Sequence, residues 1–106
     1  MSDFTRITLE ELNHLIEEGV LKMNKELLKI WNEISIKPEK WIGYSYIKEG
    51  EEFWVVGKFR DKVIWYNDTE EGFNISNYRI EREIGEFGFE QDELEDVIYK
   101  LKNVLQ

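Results

Sequence analysis

The chain has 106 residues, with 23 acidic against 14 basic side chains and a formal charge of −9. One domain over residues 1–106 is expected at that length, and 42% apolar content supplies a core without staples. The acidic balance argues against non-specific binding to nucleic acid or anionic membrane, and the lack of cysteine removes disulfides, thiolate nucleophiles and thiolate metal sites.

The N-terminus has no basic region leading into an apolar run, and no stretch is long enough to span a bilayer, so a cytoplasmic protein is expected. Thr8-Leu9-Glu10-Glu11 reads as a capping box at a helix start. Leu9, Leu12, Leu15, Ile16, Val20, Met23, Leu27, Trp31 and Ile34 follow at helical spacing. Gly19 interrupts this run at a cost of about 1 kcal/mol relative to alanine, which predicts a break and two short helices, the second starting near Asn24. That helix turns Leu27, Leu28, Trp31 and Ile34 inward, and Pro38 closes the region.

From Trp41 the period changes. Trp41–Lys48, Phe53–Arg60 and Val63–Asn67 are rich in aromatic and β-branched residues and are expected as strands, with a tight hairpin at 60–63. A fourth strand is expected from Phe73 to Ile84, with Tyr78, Ile80, Arg82 and Ile84 on one face and Arg79, Glu81 and Glu83 on the other. Asp92-Glu93-Leu94-Glu95 resembles a second capping box, and Leu94, Val97, Ile98, Leu101 and Val104 or Leu105 line one face of a last helix. The expectation is therefore an α+β fold: a four-stranded antiparallel meander flanked by N-terminal helices and one C-terminal helix. With helices on one face only, some of Trp41, Tyr44, Tyr46, Phe53, Trp54, Trp65 and Tyr66 should be partly exposed.

The charge is uneven. Asp68 to Asp96 holds eleven acids and only Arg79 and Arg82 as bases, so this stretch accounts for the whole surplus. Asp92, Glu93, Glu95 and Asp96 suit the first turn of the last helix, which leaves the segment around Asp68, Glu70 and Glu71 and the pair Glu81 and Glu83 needing another reason.

Catalytic patterns are thin. His14 is the one histidine, no serine sits in a G-x-S-x-G context, and no glycine pattern suits a phosphate loop. Asn67 to Gly72 starts like a calcium loop, but position twelve would be Tyr78 instead of a bidentate glutamate. A looser carboxylate metal site at Asp68, Glu70 and Glu71 stays open, and so does a small hydrolase using the same acids. No cofactor is indicated.

Leu27-Leu28-Lys29-Ile30-Trp31, Pro38-Glu39-Lys40-Trp41, Phe53-Trp54-Val55-Val56-Gly57, Ile64 to Asn74 and Gln91-Asp92-Glu93-Leu94-Glu95 run in that order. In that arrangement the chain resembles small acidic bacterial immunity proteins encoded beside polymorphic or contact-dependent toxins, most specifically in Trp65-Tyr66-Asn67-Asp68 and Gly72-Phe73-Asn74. The resemblance implies a binding protein without catalytic residues, whose partner is a cognate protein toxin, basic if it is a nuclease. On that footing Asp68, Glu70 and Glu71 are the expected acidic centre, Glu81 and Glu83 its extension, and Tyr66 or Phe73 a ring anchor. The competing expectations are the carboxylate metal-binding or hydrolase domain and an accessory domain that self-associates through its aromatic sheet face.

Overall fold

In the computed structural model, which describes residues 6–44 and 50–105, the Thr8 capping box forms as the residue pattern predicts. The Glu11 amide donates to the Thr8 hydroxyl at 3.1 Å, and the Thr8 amide donates to the Glu11 carboxylate at 3.0 Å. Helix α1 (Leu9–Leu21) then runs without a break through Gly19. The expected interruption there is wrong for a packing reason. Gly19 is buried where α1 crosses α3 (Leu94–Leu105), and a Cβ on it would lie 2.8 Å from the Leu94 Cβ. The missing side chain permits the crossing, and tertiary contact outweighs the propensity cost.

Helix α2 (Lys25–Ile34) starts where expected, with the Asn24 side chain accepting from the Leu27 amide at 2.9 Å. It buries Leu27, Trp31 and Ile34. The chain passes directly into β1 (Ser35–Gly43), so Pro38 lies within a strand instead of closing a helix. The β1–β2 register shifts between Ser35 and Glu39, an irregularity that accommodates a residue with no amide to donate. The part of the first predicted strand at 45–48, including Tyr46, lies outside the described residues.

Strands β2 (Glu51–Phe59), β3 (Lys62–Asn67) and β4 (Gly72–Asn77) complete an antiparallel meander with β1. The two-residue turn at Arg60–Asp61 places Arg60 in the left-handed region at φ 54°. The fourth strand stops at Asn77 rather than continuing to Ile84. The chain turns, crosses back over the sheet and adds β5 (Glu83–Ile84), which pairs in parallel with β1. The sheet is therefore five-stranded and mixed, in the order β4-β3-β2-β1-β5, where four antiparallel strands were expected.

The crossing segment changes which faces are buried. On one face α1, α2 and α3 cover Val56, Ile64, Tyr66 and Phe73, joined by Leu12, Leu94, Val97, Ile98 and Leu101. On the other, Trp41, Phe53, Val55, Val63 and Trp65 pack with Ile84 under Ile36, Tyr78 and Phe87. Edge-to-face and tilted rings join Phe53, Trp65 and Phe87 at 5.1–5.4 Å between centroids. Trp41 and Trp65 are fully enclosed, so the aromatic face expected to be partly open is a second core. Tyr44 is exposed and Trp54 half-buried, as that expectation allowed.

Two buried asparagines fasten the returning chain. Asn67 donates to the Gly88 carbonyl at 2.9 Å and accepts from the Thr69 amide at 3.0 Å. Asn74 donates to the Glu90 carbonyl at 3.2 Å and accepts from the Glu90 amide at 2.9 Å. Phe73 adds a backbone bond to the Asp92 carbonyl at 2.9 Å, covering part of the free edge of β4. Gly72 sits directly beneath this strap: a Cβ there would lie 2.2 Å from the Gln91 Cα and 2.5 Å from the Glu90 carbonyl oxygen. Among the described residues no helix is long and apolar enough to cross a membrane.

Candidate functional site

The turn between β3 and β4 brings Tyr66, Asp68 and Glu71 against the flank of α1. An open groove of about 1190 Å³ lies there, with Ile7, Leu15 and Tyr66 among its apolar lining and Glu10, Glu11, Glu17, Asp68 and Glu71 as its carboxylates. A second hollow of about 280 Å³ adjoins it and shares Leu15, Tyr66 and Glu71. Glu18 of α1, Lys22 just past its end, Phe73, Asp92 and Glu93 ahead of α3, and Glu95 in its first turn line this second space. Among the described residues, nine carboxylates line the two hollows, against Arg6 and Lys22 and one histidine.

The acids do different work. Asp68 is spent internally: its side chain is only 7% exposed and accepts from Arg6 Nη1 at 2.9 Å and from the Ile7 amide at 3.1 Å. Arg6 also pairs with Glu51 at 2.8 Å. This joint pins the segment entering α1 to the β3–β4 turn, so Asp68 shapes the groove and its charge is largely balanced. Glu71 is exposed, in the left-handed region at φ 56°. Glu11 is held below the ordinary carboxylate range, first by the Thr8 amide and then by the Thr8 hydroxyl, and stays ionised at neutral pH. At the floor, burial pushes the Tyr66 phenol up, and the negative charges of Glu71, Asp68 and Glu11 push it further. The Tyr66 hydroxyl thus faces three carboxylates from α1 and the turn.

The remaining expected site residues fall elsewhere. Phe73 is buried beside Tyr66, with ring centroids 4.9 Å apart, and so stiffens the floor instead of offering an exposed anchor. Glu70 lies just outside both hollows, its carboxylate accepting from Gln91 at 3.4 Å. Glu81 and Glu83 are not on the outer face of the fourth strand. Glu81 pairs with Lys58 of β2 at 2.8 Å, near the opposite end of the sheet. Glu83 is in β5, three strand spacings from β3, roughly 14 Å across the sheet. The expected extension of the acidic patch through these two residues does not meet the turn.

The acids that do extend it come from α1. Glu10-Glu11 and Glu17-Glu18 are seven residues apart, two helical turns, and so repeat along one side of the helix. That spacing is visible in the chain, but these acids lie where bases balance them in sequence, and a segment-by-segment charge count conceals them. His14, between the pairs, is 69% exposed and contacts Glu18 at 3.0 Å. Among the described residues no three histidine, aspartate or glutamate side chains are grouped to hold a metal ion, and Asp68 is committed to Arg6.

The groove thus has an apolar floor with carboxylates along its rim. No family model, no curated protein and no solved structure matches this chain.

Proposed function

We propose that this chain is an immunity-type binding protein, one that neutralises a cognate bacterial toxin by laying the acidic groove over the toxin's active site. The observation that carries the proposal is the convergence of Glu11, Asp68 and Glu71 around Tyr66, with Glu10 and Glu17 on the rim. A nuclease holds phosphates in a basic cleft, and an acidic surface of this kind competes for the same charge. Such complementarity raises association rates from about 10⁵–10⁶ M⁻¹s⁻¹ toward 10⁸–10⁹ M⁻¹s⁻¹ at low salt. Speed matters to an inhibitor that must act before damage is done. The role requires no catalytic residue, no cofactor and no contact with nucleic acid or membrane, and it places the protein in the cytoplasm beside its target. The acidic patch proposed for contact now centres on Glu71 and α1, with Glu70 at its margin and Tyr66 as its floor.

The experiment is stopped-flow association with the protein encoded by the adjacent gene, at 20 mM and 300 mM salt. A basic partner should associate at least about tenfold more slowly at the higher salt. A salt-independent rate, or no binding, rejects the proposal. Calorimetry with magnesium, calcium and manganese tests the competing metal-binding idea, which requires submillimolar binding.

A further inference from the structure

The second hollow contains a polar group that the groove's role does not use. Glu95, in the first turn of α3, has an Oε1 atom enclosed without a hydrogen-bond partner. Its Oε2 lies 3.9 Å from Lys22 Nζ, whereas Glu93 Oε2 lies 2.7 Å from the same ammonium. The Glu93 and Glu95 carboxyls are within hydrogen-bonding reach of each other. This cluster stands beside the close contact of the helix pair where Gly19 meets Leu94.

We infer that the Glu93–Glu95 pair is a one-proton switch on the α1–α3 contact, with Glu95 as the group that takes up the proton and Glu93 as the one that keeps its charge on Lys22. The two environments drive the roles apart. An ionised Glu95 leaves a buried oxygen without a donor, which is costly. A neutral Glu95 turns its hydroxyl into a donor to the Glu93 carboxylate, and Lys22 then neutralises the pair as a whole. Burial accordingly holds the Glu95 carboxyl above the ordinary range, and the Glu93 charge adds to this. Glu93 is held below that range, foremost by the bond from Lys22.

Other groups face the cluster from each packed element. Glu18 of α1, Glu71 of the β3–β4 turn and Asp92 before α3 line the same hollow, with Lys100 engaging Asp92, and the charges that act on Glu95 are those of Glu93 and Lys22. On the other side, the Glu95 amide and the N-terminal end of α3 favour its ionised form. Releasing the proton adds one negative charge to the hollow and leaves the enclosed oxygen unsatisfied, so the contact between α1 and α3 weakens as pH rises through the Glu95 transition. The inference holds whatever the groove binds.

Site-resolved carbon NMR titration of the glutamate carboxyls in the full chain tests it. Glu95 should titrate above 4.5 and Glu93 below it. In Glu93→Gln the Glu95 midpoint should fall toward 4.5, and in Lys22→Met both midpoints should rise. A Glu95 midpoint at or below 4.5, or one that Glu93→Gln does not move, overturns the inference. As an independent readout, the denaturation midpoint of wild type relative to Glu95→Gln should fall as pH rises from 4.5 to 8. A constant difference over that range also overturns it.

Discussion

Asn74 illustrates how much a single side chain can carry in this molecule. It is 1% exposed and exchanges two hydrogen bonds with the backbone of Glu90, holding the returning chain against β4. Asn74→Ala removes both partners of the part-buried Glu90 backbone bonds, and we expect a loss of about 1–2 kcal/mol in urea unfolding. Asp68→Asn removes the charge that answers Arg6 while keeping the shape. Because Arg6 retains Glu51, the expected loss is at the low end, about 1 kcal/mol. These positions explain why Trp65-Tyr66-Asn67-Asp68 and Gly72-Phe73-Asn74 stand out in the chain. Trp65 fills the second core, Asn67 and Asn74 fasten the strap, Asp68 anchors Arg6, and Gly72 leaves room for the backbone above it. Most of that distinctive segment is occupied in building the fold, and Tyr66 with Glu71 is the part left facing the groove.

The elements legible in the sequence are those specified locally. The Thr8 box, the Asn24 start of α2, the apolar stripe of α3 and the three hairpin strands all follow from spacing within a few residues. Three features depend on contacts beyond their immediate neighbours in the chain and depart from the local pattern. Helix α3 begins at Leu94 with Glu93 immediately before it, while Asp92 engages Lys100 and its carbonyl accepts from the Phe73 amide of β4. The alternation of Tyr78, Ile80, Arg82 and Ile84 imitates a strand, yet Arg82 has φ 77° and Ile80 is 60% exposed, while Tyr78 and Ile84 alone pack on the sheet. Nothing near residue 80 announces that this segment must cover Trp41 and Trp65. Gly19 is the third case, and it yields a prediction with opposed terms. Gly19→Ala gains about 1 kcal/mol of helix propensity but forces a Cβ into the Leu94 Cβ, an overpacking cost of about 1–3 kcal/mol. Because the obstructing atom is next to the backbone and cannot swing away, we expect net destabilisation of about 1 kcal/mol by urea denaturation.

Across the whole molecule, charge is sorted into regions that the linear sequence mixes. The net −9 is concentrated by folding, because α1 brings Glu10, Glu11, Glu17 and Glu18 alongside Glu71 and the start of α3. Stability should respond to pH from both sides. Glu11 and Glu93 have lowered values in the fold, so their contributions are present above 4.5 and are lost as pH falls through the folded transitions. Lys22, Lys58, Lys100 and Lys102 have raised values because each bonds a carboxylate, so their contributions are present below 10.5 and are lost as pH rises through the folded transitions. These pairs are mostly exposed, and the expected slopes are shallow and should flatten further in 1 M salt, as pH-dependent denaturation midpoints can show.

The central claim is that the groove between α1 and the β3–β4 turn is the contact surface. Its most direct test is calorimetric affinity for the protein encoded by the adjacent gene, measured for wild type and two charge-reversal variants. Combined Glu10→Lys, Glu17→Lys and Glu71→Lys should weaken binding by roughly 100-fold, whereas combined Glu81→Lys and Glu83→Lys, remote from the groove, should leave it within about twofold. Unchanged affinity in the groove variant, or a loss confined to the Glu81 and Glu83 variant, would contradict the account.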